Sequence, residues 1–393
     1  MEDKKRLAIV TTHPIQYNAP LFTHLTRRNN IEIKVFYTWG QSSMENKFDP
    51  GFGKVIDWDI PLLNGYPYEF IRNTSPSPGS HHYKGIINPD IIERIDAFRP
   101  DAILVFGWNF NSHMKVLRHY KKKIPLLFRG DSTLLDDRSF SIRRILRQTA
   151  LTWVYRNIDM ALYVGKNNRD YFQKMHVPEK NLVFLPHAID LGFFEDKDEQ
   201  FARQAIQSRR ELGIKDNELV FLFAGKLQSK KNPGLLVEAF RQLNHKDVHL
   251  VIVGNGELEA TLKEQSAGAN IHFIGFQNQS RMPVIYRMAD VVVLPSKENE
   301  TWGLAVNEAM ACGRPVLVSD QSGCARDLVI PGKNGFIFRS GDAGDLLKKM
   351  TELVARHKEL PEMGRSSYTI IQDWSYDKVC RGIESLMERV GKN

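Results

Sequence analysis

The chain has 393 residues, 42% of them hydrophobic and 25% charged, with a formal net charge of +8. That length points to two domains, because single cores rarely grow past about 250–300 residues. No run reaches the roughly 18–20 apolar residues that span a bilayer, the start Met1-Glu2-Asp3-Lys4-Lys5-Arg6 lacks the features of a signal peptide, and the three cysteines are too few for a disulfide framework or a metal cluster.

These features point to a cytoplasmic protein. The charge is uneven: residues 1–190 carry 27 Lys/Arg against 19 Asp/Glu, whereas residues 191–393 carry 27 of each. An excess confined to the first half suggests an anionic partner there, such as a membrane surface or a phosphate-bearing acceptor. The charge is diffuse and no RNA or DNA motif appears, which argues against nucleic acid.

Short Val/Ile/Leu-rich runs alternate with helix-like segments, the pattern of a parallel α/β architecture whose strands are covered on both faces. The first predicted strand, Leu7–Thr11, leads into His13-Pro14-Ile15-Gln16-Tyr17. This places His13 at a strand's carboxyl end and lets Gln16 and Tyr17 open a helix. After the strand Glu32–Tyr37, residues 38–88 are rich in Gly, Pro and aromatics and weakly periodic. An irregular stretch of that length inside a compact domain is usually functional or mobile. It contains Asp57-Trp58-Asp59, a short acidic pattern that arises by chance and has no strand before it, so no metal is assigned there. The strand Ala102–Phe106 is followed by Gly107, Trp108, Asn109 and His113, and the strand Pro125–Arg129 by Asp131. Arg129 either binds an anionic group or pairs with Asp131. Arg138–Arg156 carries five Arg and no acid, with apolar residues at helical spacing. It suits a helix on an anionic inner-leaflet surface, or a packed helix with a solvated basic face; Lys121-Lys122-Lys123 adds to the first reading. Strands Met160–Val164 and Leu182–Pro186 complete a domain over 1–190, and acidic Asp190–Gln200 reads as the interdomain linker.

The second domain, 191–373, has predicted strands Leu219–Ala224, Val248–Val253, Ile271–Ile274, Val291–Pro295, Val316–Val318 and Gly335–Phe338. Residues 374–393 form a final amphipathic helix expected to pack on the first domain. The stretch from Val291 to Val316 reads as strand, loop, helix, Gly stop and strand. Gly303 permits close backbone approach at the helix start. The N–H groups of Thr301, Trp302, Gly303 and Leu304, with the positive helix end, make an anion site that fits a diphosphate. Glu300 precedes the helix, and Glu308 lies about a turn and a half inside it.

The run Glu300-Thr-Trp-Gly-Leu-Ala-Val-Asn-Glu308, with Ala309-Met310-Ala311 and Gly313-Arg314-Pro315-Val316 behind it, resembles the Glu-x7-Glu motif of retaining GT-B glycosyltransferases, specifically glycosyltransferase family 4. The His-Pro-Ile-Gln-Tyr start resembles a bacterial subgroup. The resemblance implies a GT-B fold, with two Rossmann-like doubly wound domains facing a cleft. It implies a retaining, metal-independent transfer of a hexose-type sugar from a nucleotide-diphosphate sugar to a glycan or lipid-linked acceptor. The setting it suggests is surface polysaccharide or lipopolysaccharide synthesis, with no cofactor. Glu300 would meet the donor sugar's hydroxyls and Glu308 the ribose. Phe221 to Pro233 is similar to the family's Gly-Arg-Leu-x3-Lys loop: Gly225 opens it, Lys226 stands in place of Arg, and Lys231 matches the Lys, so both cations would neutralise the diphosphate. Gly254 would lie near the nucleotide, Asn278 to Arg281 by the base and Gly323 near the sugar, with Cys324 as a filler. The family's Gly-rich loop and His are missing from the first half. There His13 and Arg129 are candidates for the chemistry, and Gln16, Tyr17, Trp108 and Asp131 for the acceptor. Two rivals remain: an epimerase or hydrolase on the same fold, and a non-catalytic nucleotide-sugar-binding subunit.

Overall fold

The computed structural model describes residues 4–44, 48, 49, 51–136 and 142–390. Arg138, at the start of the basic segment, lies outside them, as do Met1 to Asp3. In chain order the strands are β1 (Arg6–Thr11), β2 (Glu32–Tyr37), β3 (Phe48–Asp49), β4 (Lys54–Val55), β5 (Tyr68–Phe70), β6 (Ala102–Phe106), β7 (Leu126–Arg129), β8 (Met160–Tyr163), β9 (Leu182–Phe184), β10 (Leu219–Ala224), β11 (Val248–Val253), β12 (Ile271–Ile274), β13 (Val291–Leu294), β14 (Val316–Ser319) and β15 (Gly335–Phe338). The chain divides into two compact units, Met1–Lys47 with Pro61–Pro186 and Tyr376–Asn393, and Phe48–Ile60 with His187–Ser375.

The first unit holds a seven-stranded parallel sheet in the order β5-β2-β1-β6-β7-β8-β9. Ala8, Val10, Ile103, Val105 and Phe128 project from its centre into one apolar cluster. Because side chains alternate across a strand, Leu7, Ile9 and Leu104 fall on the other face, where they are equally buried. Burial on both faces is why these strands read as unbroken apolar runs.

Part of the irregular segment 38–88 folds onto this sheet. β5 pairs with β2 over Val35–Tyr37, an edge strand that three residues were too few to signal. The rest is held by amide side chains that satisfy main-chain groups. Asn88, 1% exposed, donates to the carbonyls of Thr38 (2.9 Å) and Arg72 (2.8 Å). Asn73 accepts from Ile87 N and donates to Gly85 O, both at 2.9 Å. Such bonds replace the ladder that the backbone lacks here.

The final helix, Tyr376–Arg389, belongs to the first unit. Arg28 grips it through Glu384 (2.8 Å) and Asp377 (2.6 Å), and the Tyr376 hydroxyl donates to the Tyr17 carbonyl at 2.8 Å. The hydrogen bond from Arg28 outweighs partial burial and holds the Glu384 carboxyl below its ordinary range.

The second unit is built on a six-stranded parallel sheet, β12-β11-β10-β13-β14-β15. Phe221, Phe223, Leu250, Ile252 and Val293 form its core on one face. The structure corrects the linker. The chain leaves the first unit at Pro186, so Asp190–Gln200 lies inside the second. Its acids are there for local reasons. Asp190 accepts from Phe193 N (3.3 Å) at the start of the helix Leu191–Phe194. Asp196 accepts from Phe201 N (3.0 Å) and Ala202 N (2.8 Å), the opening amides of the helix Gln200–Glu211. Carboxylates are favoured at helix starts, which is why the segment looked like an acidic spacer.

Candidate functional site

In each sheet the strand order reverses once, between β1 and β6 and between β10 and β13. Ligands of open α/β sheets bind at such points, beyond the carboxyl ends of the strands. In the second unit the loop after β10 carries Gly225, Lys226 and Lys231, and the loop after β13 carries Ser296, Glu300 and Gly303. The two loops meet across the reversal. The Lys231 ammonium is paired with the Glu300 carboxylate. The Ser296 hydroxyl also donates to Glu300 Oε2, at 2.8 Å. Lys297 N donates to Lys230 O at 2.9 Å, which ties the backbones together.

Gly303 caps the helix Leu304–Ala311 with φ +105°, where a side chain would be strained and its Cβ would strike Leu294. As the capping residue, Gly303 contributes no side-chain hydrogen bond to this helix start. Glu308 lies in the second turn, 3% exposed. Its oxygens accept from Gln279 Nε2 at 3.1 Å and from the Tyr286 hydroxyl at 2.6 Å.

Trp302 points inward. It is 3% exposed, its indole N–H donates to Asn307 Oδ1 at 2.8 Å, and Asn307 donates to His187 O at 2.9 Å. The Trp302 side chain therefore braces the loop, and only its backbone remains for a ligand. Thr301 and Gly323 lie back to back: a Cβ on Gly323 would collide with the Thr301 carbonyl. Gly323 N donates to Glu300 O at 2.9 Å. Gly254 abuts the Gly225 carbonyl in the same way, packing the loop after β11 onto the loop after β10. Cys324 is wholly buried, and burial drives its thiol well above its ordinary range. It fills space beneath Gly303.

Asn278 caps the turn Gln279–Arg281 and donates to Asp57 O at 2.6 Å. Asp59 accepts from the amide (3.1 Å) and the hydroxyl of Ser280. The Asp57-Trp58-Asp59 pattern is thus a turn cap contributed by residues 48–60. Lys226 is held by the same segment: both Asp49 oxygens lie 2.8–2.9 Å from its ammonium.

The first-unit candidates separate. His13 Nδ1 lies 2.9 Å from Thr12 Oγ1, with its ring edge-on to Trp39. Gln16 and Tyr17 lie in a turn, and the helix begins at Ala19, not at these residues. Pro20 at the first turn sets that start. Arg129, 9% exposed, donates to the carbonyls of Leu185 (3.0 Å) and Pro186 (2.8 Å). Burial lowers its pKa to about 10, partly offset by Asp131. Its guanidinium anchors the chain where it leaves the unit, a role neither sequence alternative foresaw. Trp108 packs against the core. His113 is buried between Thr38 Oγ1 and Gly107 O, each at 2.9 Å, and burial lowers its pKa to about 4.

Sequence reasoning missed Ser296, Tyr286 and Asp49. Ser296 stands four residues before Glu300 and was open to inspection; Asp49, 177 residues from Lys226, had no local signal. A cavity of about 830 Å³ lies at the opposite ends of the second unit's strands, lined by Asp247, Asp290 and Pro315 among others, and touches none of the site residues above.

Residues 204–369 match the family of glycosyl transferases group 1. The chain is 31% identical over 186 residues to a D-inositol 3-phosphate glycosyltransferase of Gordonia bronchialis, covering 43% of this chain and 40% of that protein. It is 26% identical over 295 residues to a processive diacylglycerol alpha-glucosyltransferase of Acholeplasma laidlawii, covering 72% and 84%. The chain thus spans less than half the length of the Gordonia relative. Among solved structures, HepE of Anabaena in complex with UDP and glucose superposes with a TM-score of 0.71 at 18% identity, covering 98% of this chain and 99% of that one. A glycosyltransferase from Rickettsia africae superposes with a TM-score of 0.74 at 14% identity over the whole of both chains. The fold is the two-domain Rossmann-like fold of GT-B glycosyltransferases, and the stretch that matches the group 1 model lies within the second unit.

Proposed function

We propose that this chain is a retaining glycosyltransferase of family 4 that moves a hexose-type sugar from a nucleoside-diphosphate donor to a glycan or lipid-linked acceptor. The observation that carries this reading is the Lys231–Glu300 pair at the strand-order reversal, beside the helix start at Gly303. The leaving group is a diphosphate, so the main catalytic need is positive charge on it as the glycosidic bond breaks. Lys226, Lys231 and the helix end supply that charge from the protein itself, without a metal or other cofactor. Glu300 receives sugar hydroxyls. Glu308, pre-oriented by Gln279 and Tyr286, receives the ribose.

The alpha linkage named for the Acholeplasma relative supports retention, since hexose donors of this kind are commonly alpha-linked. Its diacylglycerol acceptor supports a lipid-linked acceptor here. The first unit recognises that acceptor, with His13 beyond β1 as the candidate for the chemistry. The basic helix Ile142–Tyr155 rests on an anionic membrane surface.

The test is transfer from UDP-, GDP- and ADP-sugars by purified protein. Glu300→Ala is expected to lower turnover at least about a hundredfold while the fold persists, the scale of losing one transition-state contact. Wild-type-like turnover by that variant refutes the assignment.

A further inference from the structure

We infer that Asp49 sets the donor affinity of this site: its carboxylate holds Lys226, and the donor's diphosphate binds by displacing it. The inference rests on the donor-site reading above. Three observations carry it. First, Lys226 meets both oxygens of Asp49, at 2.9 and 2.8 Å, in a pair whose side chains are only about one-third exposed (32% and 30%). Second, Asp49 comes from a segment that the chain sends out of its first half, and residues 48–60 fold with the second unit. Third, the segment is fastened at both ends. At one end Asp49 also accepts from Gly51 N (2.8 Å) and Phe52 N (3.2 Å), and the Phe52 ring lies 4.9 Å from the Lys226 ammonium. At the other, Asp57 and Asp59 hold the Asn278–Ser280 turn. Between them Lys54 lies 4.1 Å over the Phe276 ring, which also packs edge-on against Phe52.

Lys226 and the two turn amides outweigh partial burial and keep the Asp49 carboxyl below its ordinary range, so it is ionised at neutral pH. The two lysines of the loop are therefore partnered differently. Glu300, the partner of Lys231, belongs to the site and stays when sugar binds. Asp49, the partner of Lys226, presents one carboxylate where a diphosphate would present more charge. Exchange is favoured only for a ligand that brings enough anionic charge to replace it. Asp49 thus tunes both how tightly a diphosphate binds and how strongly it is preferred over ligands without one.

Calorimetry with inorganic pyrophosphate, and with UDP, GDP and ADP, tests this on the full chain. Asp49→Asn keeps the shape of the turn and is expected to bind pyrophosphate about fivefold more tightly, the scale of releasing one part-exposed ion pair. Asp49→Glu is expected to stay near wild type. In the double variant Asp49→Asn with Lys226→Met the gain is expected to vanish, because the two residues act through one contact. Unchanged or weaker pyrophosphate binding in Asp49→Asn overturns the inference while leaving the donor site in place. Failure of both wild type and Asp49→Asn to bind any of the four ligands overturns the donor-site reading, and this inference with it.

Discussion

A carboxylate with 3% exposure must have its partners built in, and Glu308 has them in Gln279 and Tyr286. The Glu300–Glu308 spacing was legible because one helix start dictates it. The partners' contacts with Glu308 were not, since Gln279 comes from the turn and Tyr286 from the helix before β13, and neither carries a pattern that points to Glu308. His113 shows the converse. Its place after a strand's carboxyl end is where ligand contacts gather, but the fold buries it between Thr38 and Gly107 and keeps it neutral. Its folded pKa of about 4 lies below the ordinary 6.5, so the unfolded chain takes up the proton first. The contribution of His113 to stability is complete above pH 6.5 and is lost as pH falls toward 4, at up to about 1.4 kcal/mol per pH unit. Urea unfolding of wild type and His113→Gln at pH 7.5, 6, 5 and 4.5 should show the two midpoints converging as pH falls. A gap that stays constant over that range counts against a neutral, buried His113.

Elements were easier to read than residues where burial on both faces wrote a continuous apolar run. β11 and β13 are examples, each buried along its whole length. Legibility failed for short or locally capped pieces: β5 has three residues, and the acids of Asp190–Gln200 serve helix starts. The loops of the second unit depend on backbone fit, and Gly323 marks the tightest place. Its Cβ would enter the Thr301 carbonyl while its own N–H serves Glu300 O. Backbone on both sides leaves no flexible side chain to give way. Gly323→Ala is expected to cost about 2–4 kcal/mol, in the range of severe overpacking. It should also displace the Glu300 loop, so that nucleoside-diphosphate affinity falls even at temperatures where the variant is folded. Thermal unfolding with and without UDP, GDP or ADP measures both effects. A variant within about 0.5 kcal/mol of wild type would mean that the two loops are not locked as described.

At the scale of the whole molecule, the charge excess falls entirely in residues 1–190, and the structure shows where part of it gathers. On the helix Ile142–Tyr155, Ile145, Leu146 and Trp153 are 47%, 65% and 48% exposed. Arg147 is exposed beside them. The Arg118 guanidinium stacks 4.6 Å over the Trp153 ring, and Lys121, Lys122 and Lys123 follow the helix that carries Arg118. Among the described residues no helix is long and apolar enough to cross a membrane. Exposed apolar side chains with Arg118 and Arg147 beside them suit the boundary of an anionic leaflet: each nearby Lys or Arg adds about 1 kcal/mol, and each inserted large apolar side chain about 1.5–3 kcal/mol. Sedimentation with phosphatidylglycerol–phosphatidylcholine vesicles at about 0.15 M salt should carry the protein down, and pure phosphatidylcholine vesicles should not. Raising the salt should release it, because surface charge acts over only about a Debye length. Leu146→Glu should weaken vesicle binding at least about tenfold, since it removes an inserted group and adds a like charge to the leaflet's own. Its turnover on a water-soluble acceptor should be unchanged, which separates loss of docking from loss of the site. Equal sedimentation with neutral and anionic vesicles would leave the clustered charge without this role, and the exposed Leu146 would then need a protein partner instead.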